Sequence, residues 1–521
     1  MLGGGGPALV GTTVAAGVLA TGLSGLRWLR VAQREHYLAD AASRFALRWW
    51  TCSPLNVLLL LVAAAGVVLS SRWAATSFAT AAAVAVGPVG LGLRGRTSAL
   101  AWTRRMRTLA AVWAVLQAAG LAVGLACGAG PLAAAAGSLA VPALVDMACV
   151  LTAPLERRLA GWYVDRAAAR LRRVGPTVVA ITGSYGKTTT KGYVAHLLGS
   201  RLSVVASPAS FNNRAGLART VNEHLAEGTD VLVAEMGTYR RGEIAEMCRW
   251  MAPQISVITA IGPVHLERFG SEEAIVRAKS EILGPARVVV LGVDDTRLAA
   301  LADGSTQQGK KVWRVSTCDR GADVCVEDAD GLVRVWVHGE KLAELSVDAR
   351  PVNLGCALAV ALELGAGAET LIERLPTLPA APHRLEPAPT SSGRCLVLDD
   401  TYNSNPAGAS VALEALLRMA PPGGRRVVVT PGMVELGHRQ AEENARFGAE
   451  AARVSSDLVF VGRTNRRALV RGARSAGDAA AASRPSLVLV ETRDQAVAWV
   501  RDHLGEGDVV LFENDLPDHY P

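Results

Sequence analysis

Hydrophobic positions along the chain change their spacing at about residue 153. Before that point, long apolar stretches follow one another and are separated by short segments rich in arginine. The five stretches are Pro7–Leu26, Leu55–Ser70, Trp73–Leu93, Leu109–Cys127 and Pro131–Thr152. A helix needs about 20 apolar residues to cross a bilayer, and these stretches reach or approach that length. The pattern therefore predicts a transmembrane region of about five helices over residues 1–153.

Basic residues alternate between the loops that join these stretches. The first and third loops carry five arginines each, and the segment after the last stretch carries six, whereas the second loop has only Arg72 and the fourth has no charge. Cytoplasmic loops of membrane proteins are enriched in Lys and Arg. We therefore expect a multi-pass protein of the cell membrane with its N-terminus outside and residues 154–175 as a basic amphipathic linker to a cytoplasmic half. A buried helical bundle in a soluble protein would not explain the alternation.

From Val174 onward, short β-branched runs alternate with helical stretches. The first set of runs is Val178–Ile181, Ser203–Ala206, Val231–Glu235, Ile255–Ala260 and Arg287–Gly292. Strands separated by helices indicate a parallel sheet that is covered on both faces. We place this domain at residues 176–380, with hairpins within Lys311–Val347 and a helix near Leu354–Leu364.

A proline-rich stretch, Pro376–Pro389, is typical of a linker. After it the alternation of strands and helices resumes. The second set of strands is Cys395–Asp399, Arg426–Thr430, Leu458–Val461, Leu487–Val490 and Val509–Phe512. This pattern predicts a smaller Rossmann-like domain over residues 386–521.

The composition limits the kinds of molecule that the chain is expected to bind. The chain is 50% hydrophobic with a net charge of +7. That charge could suit nucleic acid, but the arginines crowd the loops between apolar stretches, so we expect no nucleic-acid partner. The eight cysteines are scattered without a CxxC or Cys/His run, which argues against a zinc site and favours reduced thiols.

A glycine-rich loop joins the first predicted strand of the central domain to a helix. Its residues are Thr182-Gly183-Ser184-Tyr185-Gly186-Lys187-Thr188-Thr189. Such a loop turns backbone N–H groups toward phosphate oxygens at a helix N-terminus. We expect residues 183–189 to bind ATP, with Lys187 at the β/γ phosphates and the Thr188 hydroxyl on Mg²⁺. The alternative is a strand–helix turn without a ligand.

The predicted fold is thus an α-helical transmembrane region followed by α/β: a P-loop central ATPase domain with a parallel sheet and the Rossmann-like domain.

Five further segments accompany the loop in a fixed order. They are Phe211–Gly216 (FNNRAG), Glu235–Thr238 (EMGT), Thr259–Ser271 with Ala278–Ile282, Asp399–Pro406 (DDTYNSNP) and Pro431–Gly437 (PGMVELG). Together with the loop, they resemble the motifs of the Mur ligase family, ATP-dependent amide ligases that build the peptide of peptidoglycan. The likeness is closest to the MurF type, which adds D-alanyl-D-alanine. It runs from about Pro176 to Asp508.

The resemblance assigns catalytic roles to Lys187, Glu235, His265 and Lys279. It implies that Thr188 and Glu235 hold the Mg²⁺ bridging the β/γ phosphates and that His265 helps to hold a second ion. Lys279 resembles the lysine that carries a CO₂-derived carbamate in this family and so becomes a metal ligand. The alternative is a solvated helix lysine paired with an acid, but the residues one turn away are apolar.

The resemblance also implies nucleotide and substrate contacts. Arg384 matches the linker arginine that reaches the nucleotide when the last domain closes. Asp400 would accept from the ribose hydroxyls, and Tyr402 and Asn403 would line the same cleft. Asn212 and Asn213 are expected to bind substrate.

The chain departs from the family pattern in three places. The soluble N-terminal domain that grips the UDP-sugar is replaced by the apolar stretches. Gly292 stands where the family has an asparagine near the adenine, and the terminal segment Leu511–Pro521 is acidic where the MurF type is basic.

We therefore expect a membrane-anchored, ATP-dependent ligase that joins a small-molecule or lipid-linked carboxylate to an amino acid or dipeptide amine through an acyl phosphate. The setting would be cell-envelope peptide assembly or a related specialised pathway. A polyglutamate-synthase type of ligase, an ATP-coupled transporter or regulatory NTPase, and an inactive ATP-binding scaffold are the alternatives.

Overall fold

The computed structural model describes residues 6–93, 99–208, 211–329, 331–347, 349–379, 386–389, 395–401, 405–476, 485–516 and 520. The predicted nucleotide contacts Arg384, Tyr402 and Asn403 lie outside these residues, so they stay predictions.

The described residues of the N-terminal third form helices and the loops between them, without a strand. Its helices are α1 (Pro7–Arg34), α2 (Ala41–Thr51), α3 (Pro54–Ser70), α4 (Ser77–Val86), α5 (Arg104–Ala126), α6 (Gly130–Leu139) and α7 (Val141–Val174), with a 3₁₀ turn at Ala74–Thr76. We refer to the described residues between 6 and 153 as the helical half.

The number of candidate membrane spans is smaller than the sequence pattern predicts. Among the described residues, α1 and α5 alone are long and apolar enough to cross a bilayer as single helices. The pairs α2–α3 and α6–α7 are bent by 114° and 73°, and counting each pair as one broken span raises the number to four. The predicted span Trp73–Leu93 is wrong, because its α-helix, α4, has only ten residues, about half of what a crossing requires.

Helix α7 connects the helical half to the rest of the molecule without a break. The predicted linker 154–175 is its C-terminal part, which begins at Pro154. There Val164, Ala167 and Leu171 are buried in the core of the central unit. At the other end of α7, the carboxylate of Asp146 accepts hydrogen bonds from the backbone N–H groups of Ala42 and Ser43 at the start of α2.

The central unit is built on a nine-stranded sheet. Its strands are β1 (Thr177–Thr182), β2 (Val204–Ala206), β3 (Val231–Glu235), β4 (Ile255–Ile258), β5 (Val288–Gly292), β6 (Lys311–Ser316), β7 (Val324–Ala329), β8 (Leu332–Val337) and β9 (Glu340–Leu345). Its helices are α8 (Lys187–Leu198), α9 (Arg214–His224), α10 (Glu243–Met251), α11 (Leu266–Phe269), α12 (Glu272–Ser280), α13 (Thr296–Gln307), α14 (Pro351–Glu363) and α15 (Ala368–Arg374), with 3₁₀ turns at Glu281–Leu283 and Leu375–Thr377.

The strand order of this sheet is β2-β3-β1-β4-β5-β6-β7-β8-β9. Neighbours from β2 to β7 are parallel, and the β7-β8 and β8-β9 pairs are antiparallel. The parallel sheet is therefore confirmed. The predicted hairpin region does not form a separate patch but extends the same sheet. Residues of β1, β3 and β4 are buried on both faces, which explains their continuous apolar runs.

The C-terminal unit has a six-stranded sheet of order β10-β11-β15-β12-β13-β14. Its elements are β10 (Glu386–Pro389), β11 (Cys395–Asp400), α16 (Pro406–Met419), β12 (Arg426–Thr430), α17 (Gln440–Val454), β13 (Asp457–Val461), α18 (Arg466–Ala476), β14 (Ser486–Val490), α19 (Arg493–His503) and β15 (Asp508–Glu513), with a 3₁₀ turn at Gly437–Arg439. All pairs are parallel except β10-β11. The end of the predicted linker is thus an edge strand, the position in a sheet that tolerates proline.

Candidate active site

The glycine-rich loop runs from the end of β1 to the first residue of α8. Gly183 has φ of +154° and Gly186 has φ of +78°. A Cβ atom at Gly183 would lie 2.0 Å from the Thr259 hydroxyl, and one at Gly186 would lie 2.0 Å from the Asn353 side-chain oxygen. Both positions therefore require glycine, and they hold the loop at the positive end of α8, where phosphate oxygens bind.

Two lysines meet at one carbonyl oxygen of this loop. The Nζ atoms of Lys187 and Lys279 donate to the Gly183 carbonyl at 2.9 and 3.0 Å. Lys279 is only 3% exposed. Burial, and then the neighbouring charge of Lys187, hold the pKa of Lys279 well below its ordinary value. Lys279 therefore differs from a solvated lysine, because its surroundings favour the neutral amine over the charged form.

Glu235, the last residue of β3, is the most heavily contacted carboxylate near the loop. One of its oxygens accepts from the Thr188 hydroxyl and from Lys191 Nζ, both at 2.9 Å, and the other accepts from the Asn212 amide at 3.2 Å. Burial alone would raise the pKa of Glu235, but Lys191 and Lys187 outweigh burial and the pKa is lowered. Glu235 is therefore an anion at neutral pH.

Ser184 and Tyr185 line the cavity beside the glycine-rich loop and also shape the loop itself. The Ser184 hydroxyl donates to the Gly262 carbonyl and accepts from the Gly262 N–H, both at 3.0 Å. Burial raises the pKa of the Tyr185 phenol. Thr189 is buried in the first turn of α8 and is not among the residues that line the cavity.

A charged cluster joins the helical half, the central unit and the C-terminal unit. Glu435, in the C-terminal unit, accepts from the His265 imidazole and, at 2.9 Å, from the Arg268 guanidinium. Arg268 also donates to Glu35, just after α1, at 3.0 Å, and it stacks over Tyr239. Burial lowers the pKa of His265. The imidazole is therefore neutral at pH 7 and serves as a hydrogen-bond donor to Glu435.

These groups surround one cavity of about 750 Å³, which we call the loop cavity. Its wall includes the loop, Glu235, His265, Lys279, Asn212 and Asn213, together with Arg34, Glu35 and His36 from the helical half and Glu435, Asn514 and Leu516 from the C-terminal unit. Asn213 also caps α9 by accepting from the Gly216 N–H at 2.9 Å. The volume is that of a typical ligand site.

Asp400 is a second predicted site residue, after Thr189, that the structure leaves apart from the loop cavity. It ends β11, and its backbone carbonyl accepts from the Asn514 N–H at 3.1 Å. It does not belong to the wall of the loop cavity, whereas Asn405 of the same motif does. The predicted ribose contact of Asp400 stays a prediction.

Several residues of the site were missed by reasoning from the sequence. Lys191 lies one helical turn after Lys187, so its spacing was a usable signal. Glu435 belongs to the PGMVELG motif, but the motif alone assigned it no role. Glu35 and His36 carry no pattern that indicates a place beside the phosphate loop, because only the tertiary arrangement brings the end of α1 there.

The oxygens of Thr188 and Glu235 suit a magnesium ion. Hard carboxylate and hydroxyl oxygens are the ligands Mg²⁺ prefers, and in nucleotide sites the ion takes its remaining ligands from phosphate and water. Within the described part of the chain, no group of three His, Cys, Asp or Glu side chains is arranged to hold a metal by itself. The protein oxygens therefore fit an ion that arrives with a nucleotide.

Comparison with known proteins gives two family matches. Residues 181–345 match the Mur ligase middle domain, and residues 383–513 match the Mur ligase, glutamate ligase domain.

Curated relatives and solved structures agree with these matches. A UDP-N-acetylmuramoyl-tripeptide–D-alanyl-D-alanine ligase from Mycobacterium tuberculosis (strain ATCC 25618 / H37Rv) is 36% identical over 368 residues, which cover 66% of this chain and 72% of the relative. The MurF ligase of Thermotoga maritima in complex with ADP superimposes with a TM-score of 0.57 at 25% identity, covering 68% of this chain and 80% of that one. MurF from Acinetobacter baumannii gives a TM-score of 0.58 at 24% identity, covering 68% and 77%.

Proposed function

The chain belongs to the Mur ligase family and is an ATP-dependent, ADP-forming ligase of the MurF type, and from this premise we propose that it joins a carboxylate to an amine at the membrane through an acyl phosphate. The observation that carries the proposal is the meeting of Lys187, Thr188, Glu235, His265 and Lys279 around one cavity. This set supplies what phosphoryl transfer to a carboxylate requires, namely positioning and charge neutralisation.

In the proposed reaction, a carboxylate oxygen attacks the γ-phosphorus of ATP and ADP leaves. The amine nitrogen then attacks the acyl carbon, inorganic phosphate leaves, and the amine loses a proton to solvent or a basic group. Lys187 and the N–H groups at the start of α8 neutralise the phosphate oxygens. Thr188 and Glu235 would hold Mg²⁺, which lowers the charge repulsion between the nucleotide and the attacking carboxylate.

Lys279 has the properties that carbamate formation needs. Only the neutral amine reacts with CO₂, and burial keeps the pKa of Lys279 low. Reaction of the amine with CO₂ yields a carbamate anion and releases one proton. That anion, together with His265, is the proposed ligand set for a second ion. Labelling with ¹³C-bicarbonate should give a carbamate carbon signal in the wild type and none in Lys279→Met.

The membrane location is part of the proposal. Helices α1 and α5 are the candidate spans, and the ends of α1 and α2 meet the central unit through the Glu35–Arg268 and Arg48–Glu267 pairs. The relatives are named for a UDP-linked tripeptide and D-alanyl-D-alanine. By likeness we propose cell-envelope peptide assembly, or a specialised pathway that uses the same chemistry.

The test uses the full-length protein in detergent or nanodiscs with ATP, Mg²⁺ and panels of carboxylates and amines. We expect ADP and a new amide, both detected by mass spectrometry. Lys187→Ala should abolish turnover and leave membrane insertion unchanged, whereas Lys341→Ala, at an exposed hairpin, should behave as the wild type. ATP turnover that never depends on an amine would refute the ligase assignment and favour an NTPase or transporter.

A further inference from the structure

A second cavity of about 670 Å³ lies between the helical half and the C-terminal unit. We call it the interface cavity. On one side its wall is formed by Trp49, Cys52, Pro54, Leu55 and Val89, at the end of α2, the start of α3 and the loop after α4. On the other side the wall is formed by residues just after β12, β13, β14 and β15, the carboxyl edge of the parallel sheet, where ligands of such folds bind.

The two cavities share part of their walls. Asn514, Asp515, Leu516 and Tyr520 belong to both. Tyr520 is held by an edge-on ring contact with Phe45 at 4.9 Å and lies under the Arg48 guanidinium. A ligand in the interface cavity therefore lies next to the loop cavity, because residues 514–516 and Tyr520 line both.

The charges of the interface cavity offer no net attraction to an ion. Its wall holds three arginines and three acids, which are Arg30, Arg463, Arg493, Glu491, Asp494 and Asp515. Arg463 pairs with Glu491 at 2.7 Å, and Arg493 pairs with Asp515 at 2.8 Å. The surface that remains to select a ligand is the apolar wall from the helical half.

That apolar wall continues onto the surface of α3, which together with α2 forms a bent candidate span. Leu55 is 51% exposed, and Leu58 and Leu61, one and two turns further along α3, are exposed to a similar degree. Exposed leucines at this spacing form a stripe along one face of the helix. The stripe leads from the cavity mouth along α3, one arm of a bent candidate span.

We propose that the interface cavity holds the hydrocarbon part of a lipid-linked carboxylate substrate, whose carboxylate end passes residues 514–516 to reach the phosphate loop. The inference rests on the proposed ligase function and specifies its acyl substrate. The carboxylate is assigned to this route because it must meet the nucleotide before the amine enters. A ligand of this kind would take its apolar chain from the membrane along α3.

The probe is a long-chain fatty acid with a photoactivatable diazirine on its chain, added to the full-length protein in nanodiscs. A fatty alcohol of the same length and label is the comparison. We expect the fatty acid to crosslink to residues 49–55 and 89–92 more than the alcohol does. Val89→Trp should reduce this crosslinking at least fivefold, because the indole fills the cavity while the backbone of residue 89 stays held by Asn56. Val86→Trp, at an exposed position outside both cavity walls, should leave it unchanged.

Each outcome supports or overturns the inference. Absence of crosslinks at these segments, equal labelling by the alcohol, or insensitivity to Val89→Trp would overturn it and indicate only bulk lipid on the outer face. A second result would overturn the inference while the ligase function stands. In that result, ADP and an amide form from soluble carboxylates, Val89→Trp does not affect their formation, and neither product forms from the lipid-linked carboxylates. Crosslinking as expected with no amide from any substrate would support the lipid site and refute the ligase function.

Discussion

The contact of Glu435 with the central unit gives a prediction whose size follows from the structure. The Glu435 side chain is 19% exposed. Burial would raise its pKa, but the hydrogen bond from His265 and the charge of Arg268 bring the pKa down from an ordinary 4.5 to about 2. A difference of that size corresponds to about 3 kcal/mol. Part of this lowering comes from a positive charge on His265, which is absent at pH 7, and the amide of a glutamine still accepts hydrogen bonds. We therefore expect Glu435→Gln to weaken the contact by about 2 kcal/mol.

The amide of Glu267 reports on this contact directly, because it donates to the Glu435 carbonyl at 3.1 Å. Exchange of that amide with solvent requires the two units to separate locally. A loss of about 2 kcal/mol should speed its exchange about thirtyfold at pH 7, measured by hydrogen–deuterium exchange and mass spectrometry. Glu491→Gln is the matched control in the same unit, because Glu491 is 46% exposed in its pairs with two arginines and such pairs contribute little.

The pH dependence has a definite sign. The Glu435 pKa is lowered on folding, so its contribution is complete above the unfolded value of about 4.5 and is lost as the pH falls toward 2. The difference between wild type and Glu435→Gln should therefore be full at pH 7 and shrink below pH 4.5. Exchange at Glu267 that is equal in wild type and Glu435→Gln at pH 7 would show that this carboxylate does not hold the units together.

Two further predictions concern the phosphate loop and its carboxylate. Gly186→Ala should destabilise the central unit by at least about 1–2 kcal/mol, because φ is +78° there. Gly192→Ala is the control: this residue lies in the middle of α8 with open space around it, so alanine should stabilise the unit by up to about 1 kcal/mol. Equal melting temperatures for the two variants would contradict the loop geometry. Lys191→Met removes the cation that donates to the buried Glu235 carboxylate and should cost about 3–5 kcal/mol, seen as a large drop in the melting temperature of the central unit. Lys311→Met removes an ion pair whose lysine is 61% exposed and should shift that temperature by a degree or two at most.

The motifs of the central and C-terminal units were readable from the sequence because local rules determine them. The loop at residues 182–189 combines a buried strand, glycines and a helix start, and each of these is visible in neighbouring residues. The parallel sheet follows from alternating periodicities in the same way. Lys187, Glu235 and His265 come together because the ends of adjacent parallel strands meet at one edge of a sheet, whereas Lys279 reaches the same place from helix α12.

The helical half was harder to predict, because hydropathy reports how apolar a segment is and not where its helices begin, end or bend. Trp73–Leu93 is as apolar as a span, yet it forms a ten-residue helix and a loop. The bends between α2 and α3 and between α6 and α7 are tertiary features that a window average does not contain. The place of Glu35 beside Arg268 likewise depends on how α1 packs, which no spacing along the chain encodes.

Helix α7 sets the distance between the helical half and the phosphate loop. Its 34 residues span about 50 Å, Pro154 lies inside it, and its last turns are buried in the central unit. Under the proposed membrane location, α7 is a spacer: the number of its turns sets how far the phosphate loop lies from the bilayer, and a substrate held at the membrane has to extend over that distance.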